Sequence, residues 1–328
     1  MNAPADWSRT RERSNRFALR FIVWVALRGG RAAARALLWP ITAYFLLFGG
    51  AARRHSRRFL ARVLGRPPTL AEQWTHFHRF AATVLDRVYF LRDRCEGFDL
   101  QVDGAESLSH TLAGGQGAFL LGAHVGSFEA LATVGRQRSG FEVAMVMYPD
   151  NAQLINAALE EIAPDFRMRI IALGQRGTTL AIRDWLDQGG LVGLLADRSL
   201  PGSGQRGKTL WLPFLGREAP FSDGPFRLAQ VLRRPVFFMA GLYNGGAHYR
   251  ICLEPLADFS VVPAEPAARD EQVWQAVRAY ASRLESVCRE SPFNWFNFHD
   301  FWQEDAAGLP GDGLPGHAGA ARPRAGTD

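Results

Sequence analysis

Cysteine is scarce. Cys95, Cys252 and Cys288 are the only three among 328 residues, with no metal-ligand spacing between them. An odd, unclustered set excludes a disulfide-stapled scaffold and a cysteine-built zinc site, and it fits a reducing compartment. Carboxylates are missing from one end. Residues 1–66 hold 14 Arg against only Asp6 and Glu12, a balance of +12, so the rest of the chain sums to −6 within a net charge of +6. An uninterrupted membrane span is missing too. The apolar stretch "ALLWPITAYFLLFGGAA" (Ala36 to Ala52) has 17 uncharged residues but contains Pro40 and Gly49-Gly50, at the short limit for a spanning helix. A cleavable leader is not expected, since the apolar run starts late and no small-residue cleavage site stands out. No internal repeat is present.

A basic end rich in apolar residues remains. Trp39 and Tyr44 lie within the run, "FIVWVAL" (Phe21 to Leu27) precedes it, and arginines crowd both flanks. This composition suits a helix lying on, or anchored in, a surface of anionic lipid headgroups. Nucleic acid is set aside as a partner because the same segment is so apolar. Residues 1–66 are therefore expected to form a membrane-associating segment. Residues 67–304 form the main domain, and the Gly/Pro/Ala-rich stretch 305–328 a disordered tail.

Beyond an amphipathic helical pattern from Thr69 to Arg94, strand-like and helix-like stretches alternate. "FDLQV", "GAFLLGA", "FEVAMVM", "RMRIIAL" and "GLVGLLA" read as strands. "SFEALATVGRQ", "AQLINAALEEI" and "GTTLAIRDWLDQG" read as helices, as does Ser222 to Leu232. "PVFFMAG" and "HYRICLE" follow as strands, then a long helix from about Asp270 to Arg289. The alternation predicts an α/β domain with a central, mostly parallel sheet flanked by helices. Chemistry in such sheets sits beyond the C-terminal ends of the strands.

"GAFLLGAHVGSFEAL" is the most informative stretch. An apolar strand ends at Gly122-Ala123-His124, and Ser127 is placed to cap the helix that follows. His124 and Glu129 lie five residues apart, which on one continuous helix would set them about 140° apart. They can meet only if His124 sits in the turn before the helix, a turn that Gly122 and Gly126 permit. A carboxylate on an imidazole fixes its tautomer and stabilises the imidazolium, so His124 is the candidate general base and Glu129 its partner. His299 and Glu304 share the spacing, but "NWFNFHDFWQE" lacks the strand and the glycine turn and reads as an aromatic packing segment.

These features resemble the bacterial lipid A biosynthesis (lauroyl/myristoyl) acyltransferases, within the glycerophospholipid acyltransferase superfamily. The H-x4-[DE] signature is His124 to Glu129. The second block is "GQRGTTLAIRDWLDQGGLVGLLADRS", with Arg176 and Asp197. "LPFLGREAPFSDGPFRLA" and "SPFNWFNF" match two later elements, and the likeness runs from the basic N-terminus to Trp302. Ala123 and Arg198 stand where members of that group often carry other residues.

The resemblance implies a membrane-associated enzyme at the cytoplasmic face of a bacterial inner membrane. It would move an acyl chain from an acyl thioester, on acyl carrier protein or acyl-CoA, to a hydroxyl or amine of a lipid acceptor. No metal or bound cofactor is implied. His124 would take the proton and Glu129 would orient His124. Arg176, Asp197 and Arg198 would bind substrate or shape the site.

Two other readings come from different classes. Gly202, Gly207, Lys208 and Thr209 satisfy G-x-x-x-x-G-K-[ST], the phosphate-cradling loop of nucleoside triphosphatases. Such a loop must open a helix, whereas Pro213 and Gly216 follow within eight residues of Lys208. Arg206 and Lys208 are better placed as a basic lip that touches an anionic headgroup. The other alternative is a catalytically inactive membrane scaffold, against which the His124/Glu129 pair argues.

Overall fold

The computed structural model describes residues 16–135, 141–147, 169–198 and 208–303. Four helices come first: α1 (Arg16–Arg28), α2 (Gly30–Phe48), α3 (Gly50–Leu64) and α4 (Leu70–Phe90). In α2 the residues Ala34, Leu38, Thr42 and Leu46 recur every fourth position and are buried, forming one helical face. That face lies on α4, where Ala34 and Leu38 share a core cluster with Leu85, Tyr89 and Phe90. An ion pair to a buried carboxylate fastens the contact. Arg31 donates through Nε and Nη2 to the two oxygens of Asp86, each at 2.7 Å, and the Tyr249 hydroxyl donates to the same carboxylate at 2.9 Å. Asp86 is fully buried.

The chain turns by 92° at Gly49 between α2 and α3. The α3 residues Phe59, Leu60 and Val63 then enter the main core. Thr69 caps α4 in a reciprocal pair: its hydroxyl accepts from the Glu72 N–H, and the Glu72 carboxylate accepts from the Thr69 N–H at 2.7 Å. No single helix among the described residues is long and apolar enough to cross a membrane, although α2 and α3 together have the required length and composition.

The remaining elements are β1 (Asp99–Asp103), α5 (Ala105–Leu112), β2 (Phe119–Gly122), α6 (Phe128–Val134), β3 (Val143–Met147), β4 (Ile170–Ala172), α7 (Thr178–Asp187), β5 (Leu191–Leu195), β6 (Thr209–Phe214), β7 (Arg217–Ser222), α8 (Gly224–Leu232), β8 (Pro235–Gly245), β9 (His248–Asp258) and α9 (Pro266–Glu290). Among the described residues seven strands make one sheet in the order β1-β9-β8-β2-β5-β3-β4. All neighbours are parallel except β8 and β9. This is the mostly parallel sheet that the alternation predicts. Strands β6 and β7 form a separate antiparallel hairpin.

Every residue of β2 (Phe-Leu-Leu-Gly) is buried, as expected for a strand covered on both faces. The two major core clusters lie on either side of the sheet and take alternate residues of β2: Phe119 and Leu121 in one, Leu120 in the other. The three cysteines are buried free thiols. The helix expected over "AQLINAALEEI" and the tail 305–328 lie outside the described residues.

Candidate active site

The register of two central strands sets up the site. In the parallel pair β2 and β5, Gly122 lies opposite Leu195, and the Ala196 N–H donates to the Gly122 carbonyl at 2.9 Å. Two residues past each strand end stand His124 and Asp197, side by side beyond the carboxyl edge of the sheet. The chain then turns sharply at Gly126, where φ is +59°. A Cβ there would lie 1.9 Å from the Gly241 carbonyl oxygen, so the position admits only glycine. Ser127 next caps α6, its hydroxyl accepting from the Ala130 N–H at 3.3 Å, which is the capping role its position suggests.

Asp197 takes three donors. His124 Nδ1 lies 2.8 Å from Oδ1, while Oδ2 accepts from the His124 backbone N–H at 3.0 Å and from the Trp295 indole N–H at 2.9 Å. The Asp197 side chain is 1% exposed and that of His124 is 30% exposed. Burial alone would push the Asp197 carboxyl up. The charge and hydrogen bond of His124, the Arg198 guanidinium and the Trp295 N–H outweigh it and hold the group well below the usual carboxylate range. An ionised, buried carboxylate on Nδ1 puts the neutral-ring proton there and leaves Nε2 as the basic nitrogen. That is the arrangement of a general base.

The bacterial lipid A biosynthesis acyltransferase family matches residues 8–304. The chain belongs to that family. It is an acyltransferase, and its family points to transfer of an acyl group to a lipid acceptor. No individual curated protein matches the chain.

Within this acyltransferase, the carboxylate that holds His124 is Asp197, not the predicted Glu129. Glu129 lies in the first turn of α6, with Oε1 2.7 Å from Arg87 Nε and Oε2 accepting from the Ser127 hydroxyl at 3.1 Å. The Gly126 turn leaves His124 on the strand side and Glu129 on the helix, facing α4. Arg198 directly follows Asp197 and is largely buried; that burial lowers its pKa, against the opposing charge of Asp197.

Arg176 is exposed in the turn after β4, on the same edge of the sheet as His124 but three strand positions from β2, about 14 Å across the sheet. Lys208 is exposed and leads into β6, its backbone N–H donating to Asp223 at 2.6 Å. It is the far end of that strand, Phe214, that packs on Trp295, about 20 Å along the strand from Lys208. Arg206 lies outside the described residues.

The nucleotide-loop reading fails here. Lys208-Thr209 opens a strand paired antiparallel with β7, not a helix whose N-terminus could face phosphates.

Trp295 is the participant that sequence reasoning missed. It falls in the stretch read as aromatic packing, and packing is most of what its ring does. Phe59, Phe214 and Phe301 all meet it edge-on with centroids 5.0 to 5.4 Å away. The available signal was chemical: a buried indole N–H must find an acceptor.

Proposed function

We propose that this acyltransferase works at a membrane surface, moving a fatty acyl chain from an acyl thioester to a hydroxyl or amine of a lipid acceptor such as a lipid A precursor or a related glycolipid. The observation that carries the mechanism is the His124–Asp197 pair beyond β2 and β5. His124 Nε2 removes the acceptor proton as the acceptor oxygen or nitrogen attacks the thioester carbonyl. The resulting imidazolium is stabilised through Nδ1 by Asp197. Collapse of the tetrahedral intermediate breaks the carbon–sulfur bond, and the departing thiolate takes the proton back from Nε2. Arg198, beside Asp197, supplies positive charge for the oxyanion or for an anionic group of the acceptor. Arg176, farther along the same edge, is available to a more distant phosphate. The thioester already carries an activated acyl group, so acyl carrier protein or acyl-CoA serves as co-substrate and the chemistry needs no metal.

The lipid surface is assigned to the N-terminal helices. Phe21, Trp24, Trp39, Tyr44, Phe45, Leu47 and Phe48 are all exposed by 47% or more, an unusual concentration of large apolar side chains. Arg53, Arg54 and Arg57 are exposed just beyond them, where anionic headgroups would lie. The placement is the cytoplasmic face of a bacterial inner membrane.

Two measurements test the proposal. Purified protein is given labelled acyl donors, on acyl carrier protein and on CoA, with extracted membrane lipids; transfer should require His124, and full transfer by His124→Ala would sink the mechanism. Binding to vesicles of anionic lipid should weaken when Trp39, Phe45 and Phe48 are changed together to Ser.

A further inference from the structure

The dyad is held by groups that lie outside it, and their connections run to one residue. Trp295 joins three layers of the protein. Its indole N–H donates to Asp197 Oδ2. Its carbonyl accepts from His76 Nε2 at 2.9 Å, and His76 Nδ1 lies 2.8 Å from the Ser56 hydroxyl. On either side the backbone is stitched to the His124 turn: the Phe296 N–H donates to the His124 carbonyl at 2.8 Å, and the Gly126 N–H to the Asn294 carbonyl at 2.9 Å. Asn294 is itself clamped to β8, accepting from the Tyr243 N–H and donating to the Tyr243 carbonyl.

Each link is buried: Trp295, His76 and Ser56 are all 0% exposed. The Trp295 carbonyl requires a proton on His76 Nε2, and in the neutral ring Nδ1 then accepts from the Ser56 hydroxyl. Burial pushes its pKa down to about 4, against the opposing hydrogen bond to Trp295, and that form therefore prevails at neutral pH.

We propose that Trp295 is a positioning residue of the transferase, and that His76 and Ser56 fix it in place. The indole N–H determines which Asp197 oxygen faces His124. The line Ser56–His76–Trp295–Asp197–His124 carries the placement of helices α3 and α4 into the base. The proposal rests on the reading of His124 as the general base. It differs from a packing role because it depends on one N–H and one carbonyl rather than on the ring's volume.

The test uses the full chain and two independent readouts. First, Trp295→Phe removes the N–H while keeping most of the ring. A hydrogen bond to a charged group is worth enough that its loss should lower kcat about ten- to hundredfold, with KM for acceptor and donor unchanged. His76→Leu should lower kcat in the same way, and His76→Gln, which retains a donor at the place of Nε2, should recover most of it. A role in packing alone would leave Gln no better than Leu.

Second, the Nδ1 proton shared by His124 and Asp197 is followed by NMR without any substrate. Its resonance should move in Trp295→Phe and in His76→Leu, and return toward the parent position in His76→Gln. Folded Trp295→Phe protein with parent kcat and an unmoved resonance would overturn the proposal. A parent protein that transfers no acyl group to any lipid, yet shows the expected resonance shifts, would refute the transferase chemistry while leaving the positioning role standing.

Discussion

Replacing Asp197 by Asn separates the two carboxylates that compete for the role of partner to His124. The change preserves shape and removes one charge. Its effect follows from the donors around the group. Oδ2 accepts from two N–H groups, the His124 backbone and the Trp295 indole, so the amide of Asn would keep its oxygen there and avoid facing two donors with an NH2. The NH2 must then point at His124 Nδ1, which is forced to accept. The ring proton moves to Nε2, and the nitrogen that should act as base becomes a donor.

The same carboxylate-to-amide exchange in a Ser-His-Asp triad costs about 10⁴-fold in kcat, or about 5.5 kcal/mol. A loss of about 10³- to 10⁴-fold is expected here, with KM little changed. Glu129→Gln exchanges a partly exposed ion pair with Arg87 for a neutral hydrogen bond and should cost less than about tenfold. Acyl transfer from a labelled thioester donor, measured across pH, decides the matter. A Glu129→Gln loss as large as that of Asp197→Asn would refute the assignment, as would an Asp197→Asn enzyme within tenfold of the parent.

Other expectations follow from the packing. His76 and His299 are held neutral by burial, at about 4 and about 3, whereas in the unfolded chain they titrate near 6.5. The unfolded state therefore binds more protons as pH drops below about 6.5, and stability should fall by up to about 2.7 kcal/mol per pH unit for the two together; urea melts between pH 4.5 and 7 measure this, and His76→Gln should halve the slope. Asp86→Ala removes the carboxylate that Arg31 and the buried Tyr249 hydroxyl share and should destabilise by about 3 kcal/mol, read as a lower urea midpoint. Gly126→Ala places a methyl group 1.9 Å from the Gly241 oxygen and should abolish either folding or transfer, checked by circular dichroism alongside activity. Equilibrium dialysis should detect no ATP binding that Lys208→Ala removes, because the lysine leads into a strand.

Much of the architecture was legible because its signals are local. The buried strand before His124, the turn glycines and the capping serine all lie within ten residues of one another, and the alternation of strands and helices reports a parallel sheet whatever the strand order. The partner of the histidine was not legible for the opposite reason. Asp197 reaches His124 only because β5 lies next to β2 in matching register, a fact of tertiary pairing between residues 73 apart. Glu129 looked suitable because it is near in sequence, but the turn that brings it close also sends it to the helix side. Trp295 was further removed, 98 residues beyond Asp197, and its aromatic neighbours supplied a sufficient reason for burial that hid the task of its N–H. The nucleotide-loop pattern was weak on its own terms, since a proline inside the expected helix contradicts it.

The late position of Trp295 also bears on how the protein is made. During synthesis the base, its carboxylate and the helices that brace them all leave the ribosome before the indole that joins them. Until Ser291–Trp302 docks, Asp197 lacks one donor, the His124 turn lacks its flanking backbone partners, and Phe59 faces an empty groove. The half-made chain is therefore expected to be catalytically silent. Activity would switch on only when a segment encoded far downstream folds back across helices synthesised near the start.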